Sequence, residues 1–143
     1  MSAADKRDFR KLYRATKREK RNELGTIVYL LGRNLTGPED WKFLHEVALE
    51  EPCLSLSDCS KKPAPGSDEE AQGDEVTLAY PALVALRQAG RVVDEERARV
   101  SAKAAGGKSS EKDALALFAA AKASKTRAVA RTAEKLETKF APR

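Results

Sequence analysis

Apolar residues in this chain recur three and four positions apart almost wherever they occur. Strand-like alternation is confined to one short stretch. That spacing commits the chain to helices, because only a period near 3.6 gathers such residues on one side. The sharpest instance lies in residues 5–34. Phe9, Leu12, Tyr13, Thr16, Leu24, Ile27 and Leu31 share one face there. Arg7, Arg10, Lys11, Arg14, Lys17, Arg18 and Arg21 share another, and Asp5, Asp8, Glu19 and Glu23 lie on its far flank. The spacing predicts one long helix with basic, apolar and acidic sides.

Gly32 and Asn34 supply its stop signal, since both residue types tolerate the left-handed geometry of a helix C-terminus. Thr36-Gly37-Pro38-Glu39 then reads as an S/T-x-x-E start, with Pro38 in the first turn, where a missing N–H costs nothing. Trp41, Leu44, Val47 and Ala48 line one face, and Pro52 ends the helix. The short connection makes the first two helices antiparallel neighbours. Ile27 and Leu31 are expected to pack on Trp41, Leu44 and Val47. Residues 53–60 alternate apolar and small polar, and with no second strand to pair with they read as an extended connector or a short helix. Residues 61–75 carry Pro, Gly and acid without hydrophobic periodicity. They cannot repay their ordering entropy and read as a flexible acidic loop or linker.

Helical spacing resumes with Leu78, Ala79, Ala82, Leu83 and Leu86, for which Gly90 is the expected C-cap. Val92, Val93 and Val100 mark a weaker helix over 91–104. Gly106-Gly107-Lys108-Ser109 breaks the chain, and Ser110 caps a helix whose buried side is Leu115, Leu117 and Phe118. Lys122–Lys125 reads either as a turn or as continuous helix before Val129, Ala133, Leu136 and Phe140. With 143 residues the chain is of one-domain length. The expected fold is all-α: one domain over 1–143, a compact stack of antiparallel helices. In general character this helical-hairpin arrangement resembles HEAT-type modules, without their repeat consensus or any internal repeat. The second half is rich in alanine, a strong helix former that buries little area, so close helix contact must replace bulk.

The candidate chemistry is thin. Gly106-Gly107-Lys108-Ser109 is similar to the end of a phosphate-binding loop but lacks the earlier glycine and the preceding strand. His45, Cys53 and Cys59 fall short of the four closely spaced ligands of a structural zinc site. His45 and Glu46 are helix neighbours that point apart, so they make no catalytic dyad. No cofactor is expected, and the chain reads as a non-enzyme. No apolar run approaches the roughly 20 residues of a membrane span, and no signal-peptide pattern opens the chain. Two cysteines are too few for a disulfide scaffold. They read as reduced thiols of a cytoplasmic protein, with a Cys53–Cys59 bridge as the alternative.

The basic stripe remains. Its seven cations extend along roughly 20 Å of helix at 1.5 Å per residue. Net charge is +5, and 34% of residues are charged. The stripe has no interleaved aromatic for base stacking, and its apolar neighbours are needed for a core, which disfavours a membrane surface. Three readings of it stand: a solvated face, a face masked by Asp68, Glu69, Glu70, Asp74 and Glu75, and a partner surface. The expected function is a non-catalytic helical adaptor or scaffold that binds an acidic protein partner. The alternative is a nucleic-acid-associated protein that grips phosphates through the stripe.

Overall fold

Ser2 opens the first helix. Its hydroxyl accepts from the Asp5 N–H at 3.1 Å, and its own N–H donates to the Asp5 carboxylate at 2.8 Å. This reciprocal cap satisfies donors that a helix start leaves free. The computed structural model describes residues 1–51, 53, 58–59, 80–101 and 110–141. Among these residues the chain forms six helices and no strand: α1 (Ala3–Ala15), α2 (Arg21–Gly32), α3 (Pro38–Ala48), α4 (Tyr80–Ser101), α5 (Glu111–Ala121) and α6 (Arg127–Lys139). The all-α class read from the sequence is the observed one.

Residue pairings give the helix directions. Lys6 meets Asp40, Tyr13 meets Phe43 and Arg14 meets Glu46, so α1 and α3 run the same way. The short links 16–20 and 33–37 make α2 antiparallel to both. At the other end, Phe118 meets Phe140 and Lys122 meets Glu137, so α5 and α6 run in opposite directions. Gly90 near Leu136, Asp94 with Lys139 and Arg97 on the Phe140 carbonyl set α4 parallel to α6. The antiparallel stack is therefore built as expected, with alternate helices parallel.

One core joins the two trios. Leu24, Val28, Trp41, Leu44, Leu86, Val93, Leu117 and Phe118 all lie in it, and Trp41 is 4% exposed. Ile27 and Leu31, expected to pack on Trp41, Leu44 and Val47, are buried with them in this one core. Two glycines let α4 approach α2. A Cβ on Gly25 would lie 2.0 Å from the Tyr80 ring, and one on Gly32 would lie 2.5 Å from Gln88 Cγ. Seven residues apart, they sit on one face of α2 and leave a groove no larger residue allows.

Several local expectations are corrected. The predicted helix over 5–34 is two helices, broken at residues 16–20. Leu12, placed on the core face, is 52% exposed, because α1 turns only Tyr13 and Lys6 fully inward. Phe43, unassigned before, is 2% exposed and meets Tyr13 edge-on, ring centroids 5.3 Å apart. The acid that caps α3 is Asp40 rather than Glu39, because Gly37 is the N-cap and Asp40 sits three residues on. Gly90 ends nothing: α4 runs unbroken past it, and Gly90 faces Leu136 of α6. Ser110 does precede α5, but its side chain makes no cap. Instead Glu96 of α4 accepts from the Ser110 and Glu111 N–H groups at 2.5 and 2.9 Å. Residues 122–126 form a turn. The expectations for 61–75, for Gly106–Ser109 and for most of 53–60 fall outside the described residues.

Candidate functional site

The site is built where α1 lies along α3. Lys6 is buried on α1, and its ammonium donates to Thr36 Oγ1 at 2.7 Å and to Asp40 Oδ2 at 3.0 Å. The same oxygen accepts from the Thr36 N–H at 2.8 Å and the Gly37 N–H at 3.1 Å. Burial pushes the Asp40 carboxyl up, but the Thr36 N–H, the Lys6 ammonium and the Gly37 N–H outweigh it and hold it below the ordinary value. Asp40 thus caps its own helix and anchors α1 to it. No sequence pattern singled out Lys6. One cation on the inner edge of an otherwise apolar face was the available signal.

The predicted stripe divides against this frame. Arg10 is mostly covered and lies 3.7 Å from both Glu39 and Asp40. Arg14, half exposed, pairs with Glu46 at 3.0 Å. Arg18 donates to the Glu51 carbonyl. Arg21 is 7% exposed and points its guanidinium at Cys53 Sγ, 3.0 Å away. These four side chains bind α1 and the start of α2 to α3 and the chain just after it. Arg7, Lys11 and Lys17 are exposed and make no ion pair among the described residues. The structure therefore keeps Arg7, Lys11 and Arg14 on one outer side of α1. It turns Arg10 and Arg21 inward and moves Lys17 and Arg18 into the link.

That link explains the helix break. Thr16 returns its hydroxyl to the Leu12 carbonyl at 2.6 Å. Beyond it, Arg18 holds Glu51, and Glu19 accepts from the Cys59 N–H at 2.8 Å. This bond, first among its causes, holds the Glu19 carboxyl below the ordinary value. Cys53 and Cys59 are joined by a disulfide, so the expectation of two reduced thiols is corrected. Arg21 lies against both sulfurs and Glu19 holds the Cys59 N–H, so both cysteines sit against the start of α2 and the link before it.

A second basic row was missed in the sequence. Arg127, Arg131 and Lys135 recur every four residues on α6, are exposed, and make no ion pair among the described residues. Their spacing of four is the sequence signal for the row, set beside the apolar positions Val129, Ala133 and Leu136 of the same helix. Lys122 beside them is bound to Glu137 at 2.6 Å. No helix among the described residues is long and apolar enough to cross a membrane. Comparison with protein-family models, curated proteins and solved structures finds no match to this chain.

Proposed function

We propose that the protein is a non-catalytic helical adaptor that binds an acidic protein partner through the outer face of α1. The observation that carries this reading is the division of the stripe. Phosphate-backbone binding draws affinity from many unneutralised cations, each releasing counterions. Here Arg10 and Arg14 already face Glu39, Asp40 and Glu46, and Arg21 is buried. The remaining exposed cations, Arg7, Lys11, Lys17 and Arg18, share α1 and its link with Leu12, which is 52% exposed. A few charges beside an apolar side chain suit a protein surface better than a phosphate track. Location in the cytoplasm is part of the same proposal, though its basis in free thiols has gone.

The nucleic-acid alternative keeps one observation in its favour, the unpaired row Arg127, Arg131 and Lys135 on α6. The two readings separate by experiment. The full chain is used to capture partners from its host with and without nuclease, beside the triple variant Arg7→Glu, Lys11→Glu, Lys17→Glu. The adaptor reading expects one dominant protein that survives nuclease and is lost with the triple variant. Capture abolished by nuclease, or nucleic-acid affinity falling steeply with salt and lost on reversing Arg127, Arg131 and Lys135, overturns it.

A further inference from the structure

The bridge between Cys53 and Cys59 has an asymmetric setting. Cys53 is 4% exposed and its sulfur lies 3.0 Å from the Arg21 guanidinium. Cys59 is only half-buried, its sulfur is 4.0 Å from the same guanidinium, and its N–H is held by the Glu19 carboxylate. Asp58 precedes Cys59 in the chain, and its charge acts on Glu19. The guanidinium thus lies 1 Å nearer the buried Cys53 sulfur than the half-buried Cys59 sulfur, and a carboxylate holds the Cys59 backbone. Among the described residues, Lys17 also acts on Glu19, and the Arg18 guanidinium acts on Arg21.

We propose that Cys53 and Cys59 form a redox-active dithiol–disulfide centre that exchanges with small-molecule thiols, with Arg21 holding Cys53 as the stabilised thiolate. The chemistry follows from the asymmetry. An external thiolate attacks the accessible Cys59 sulfur. The S–S bond breaks, and its electron pair leaves on Cys53, where the guanidinium receives the charge. A thiol that leaves as a stabilised anion leaves faster. Cys59 is then in mixed disulfide with the external thiol. A second external thiolate attacks the external sulfur of that bond and frees Cys59. Two external thiols are oxidised to one disulfide; the protein gains two electrons and one proton, on Cys59, and the second proton passes to solvent because Cys53 stays the thiolate. Reoxidation runs the same steps backwards, with Cys53 as the attacking thiolate. Arg21 is a positioning residue here: it acts on the sulfur's charge and takes no part in bond exchange.

The setting also says what the switch moves. Cys59 is held by Glu19, and Glu51 by Arg18, both from the link between α1 and α2. Opening the bridge leaves Cys59 held to the link by Glu19 and no longer by Cys53.

The experiment measures thiolate ultraviolet absorbance against pH in two folded single-cysteine variants, Cys59→Ser and Cys53→Ser. Cys53 is expected to titrate at least about one unit below the ordinary thiol value of about 8.5, and Cys59 near that value. Adding Arg21→Met to Cys59→Ser raises the Cys53 midpoint, and Arg21→Lys restores part of the shift. If Arg21→Met does not fold, a second measurement on the wild-type chain decides. In buffers of varied reduced-to-oxidised glutathione, the bridge is expected to pass from oxidised to reduced within the range those buffers set. A Cys53 midpoint at or above the ordinary value overturns the proposal. So does a bridge that stays closed in excess reduced glutathione, which would make it a structural staple.

Discussion

The two ends of the molecule use the same residue types differently. Between α1 and α3 the decisive ion pair is buried: Lys6 and Asp40 side chains are 9% and 8% exposed. Between α4, α5 and α6 the pairs are peripheral. Lys139–Asp94 is more than half exposed on both sides, and Arg97–Glu111 is about one-third to one-half exposed. Their core is apolar, with Ala114, Leu117, Phe118, Ala121 and Ala133 fully buried. α1 has the opposite make-up, since Tyr13 is its one fully buried apolar side chain among Phe9, Leu12 and Tyr13. The C-terminal trio therefore coheres mainly by apolar burial, which is non-directional and little affected by salt, with the buried Glu96 capping α5. α1 is docked by charge and hydrogen bonds, which respond to pH and fail sharply when one partner is lost. The lesson is that an ion pair's meaning lies in its burial rather than in its distance.

The largest expected effect tests whether both ends belong to one cooperative core. Trp41→Ala and Phe118→Ala should each cost about 3–5 kcal/mol, the usual range for a buried large aromatic. Both should lower a single unfolding transition seen by circular dichroism. Two separate transitions, each sensitive to one variant, would break the comparison by making the trios independent.

Next comes the buried pair. Lys6→Met leaves the Asp40 carboxylate buried without its cation and should cost about 3 kcal/mol, at the lower end because the Thr36 and Gly37 N–H groups still hold it. Its pH dependence has a definite sign. Asp40 is held below the ordinary value in the folded state. Its contribution is complete above the ordinary aspartate range near about 3.9, and is lost as pH falls through the folded value. Hydrogen exchange on α1 should therefore accelerate below that range before α5 and α6 are affected. Equal acid sensitivity at both ends would remove the contrast.

A smaller effect is expected at the α2–α4 groove. Gly32→Ala brings a Cβ to 2.5 Å from Gln88 Cγ and 2.6 Å from its Cβ. The near atom is close to the α4 backbone, so the helices must separate. Overpacking should cost about 1–3 kcal/mol despite alanine's better helix propensity. A more stable variant in thermal melts would show that α4 can shift without penalty.

Smallest of all are the exposed pairs. Arg14→Ala, opposite Glu46, and Asp94→Ala, opposite Lys139, should each change stability by less than about 1 kcal/mol, less still in high salt. A loss comparable to that of Lys6→Met would mean that α1 is held by its rim and not by its buried pair.

Much of the helical framework was legible because it is local. Pro38 opens α3 where the turn chemistry placed it, and Trp41, Leu44, Val47 and Ala48 are buried at the expected spacing. The basic stripe was also legible as a pattern of residues. Its division was not, because Glu39, Asp40 and Glu46, the partners of Arg10 and Arg14, lie some thirty positions away. The row on α6 was readable in principle, since Arg127, Arg131 and Lys135 recur at fixed intervals.

Amphipathic spacing, capping residues and alanine content by themselves determined that this chain is helical and which faces carry its charge. These are properties of a few neighbouring residues. Only the tertiary structure decided where the first helix breaks. Nothing in Thr16-Lys17-Arg18-Glu19-Lys20 is a strong helix breaker, yet Arg18 and Glu19 leave helical pairing to hold Glu51 and Cys59. It also decided that Gly90 lies inside a helix, against Leu136, and that Lys6 and Arg21 are buried cations. The reason is common to all of these. A local preference is worth under about 1 kcal/mol per residue, and a buried charge or a closely packed helix is worth several. When the two disagree, the partner across the fold prevails.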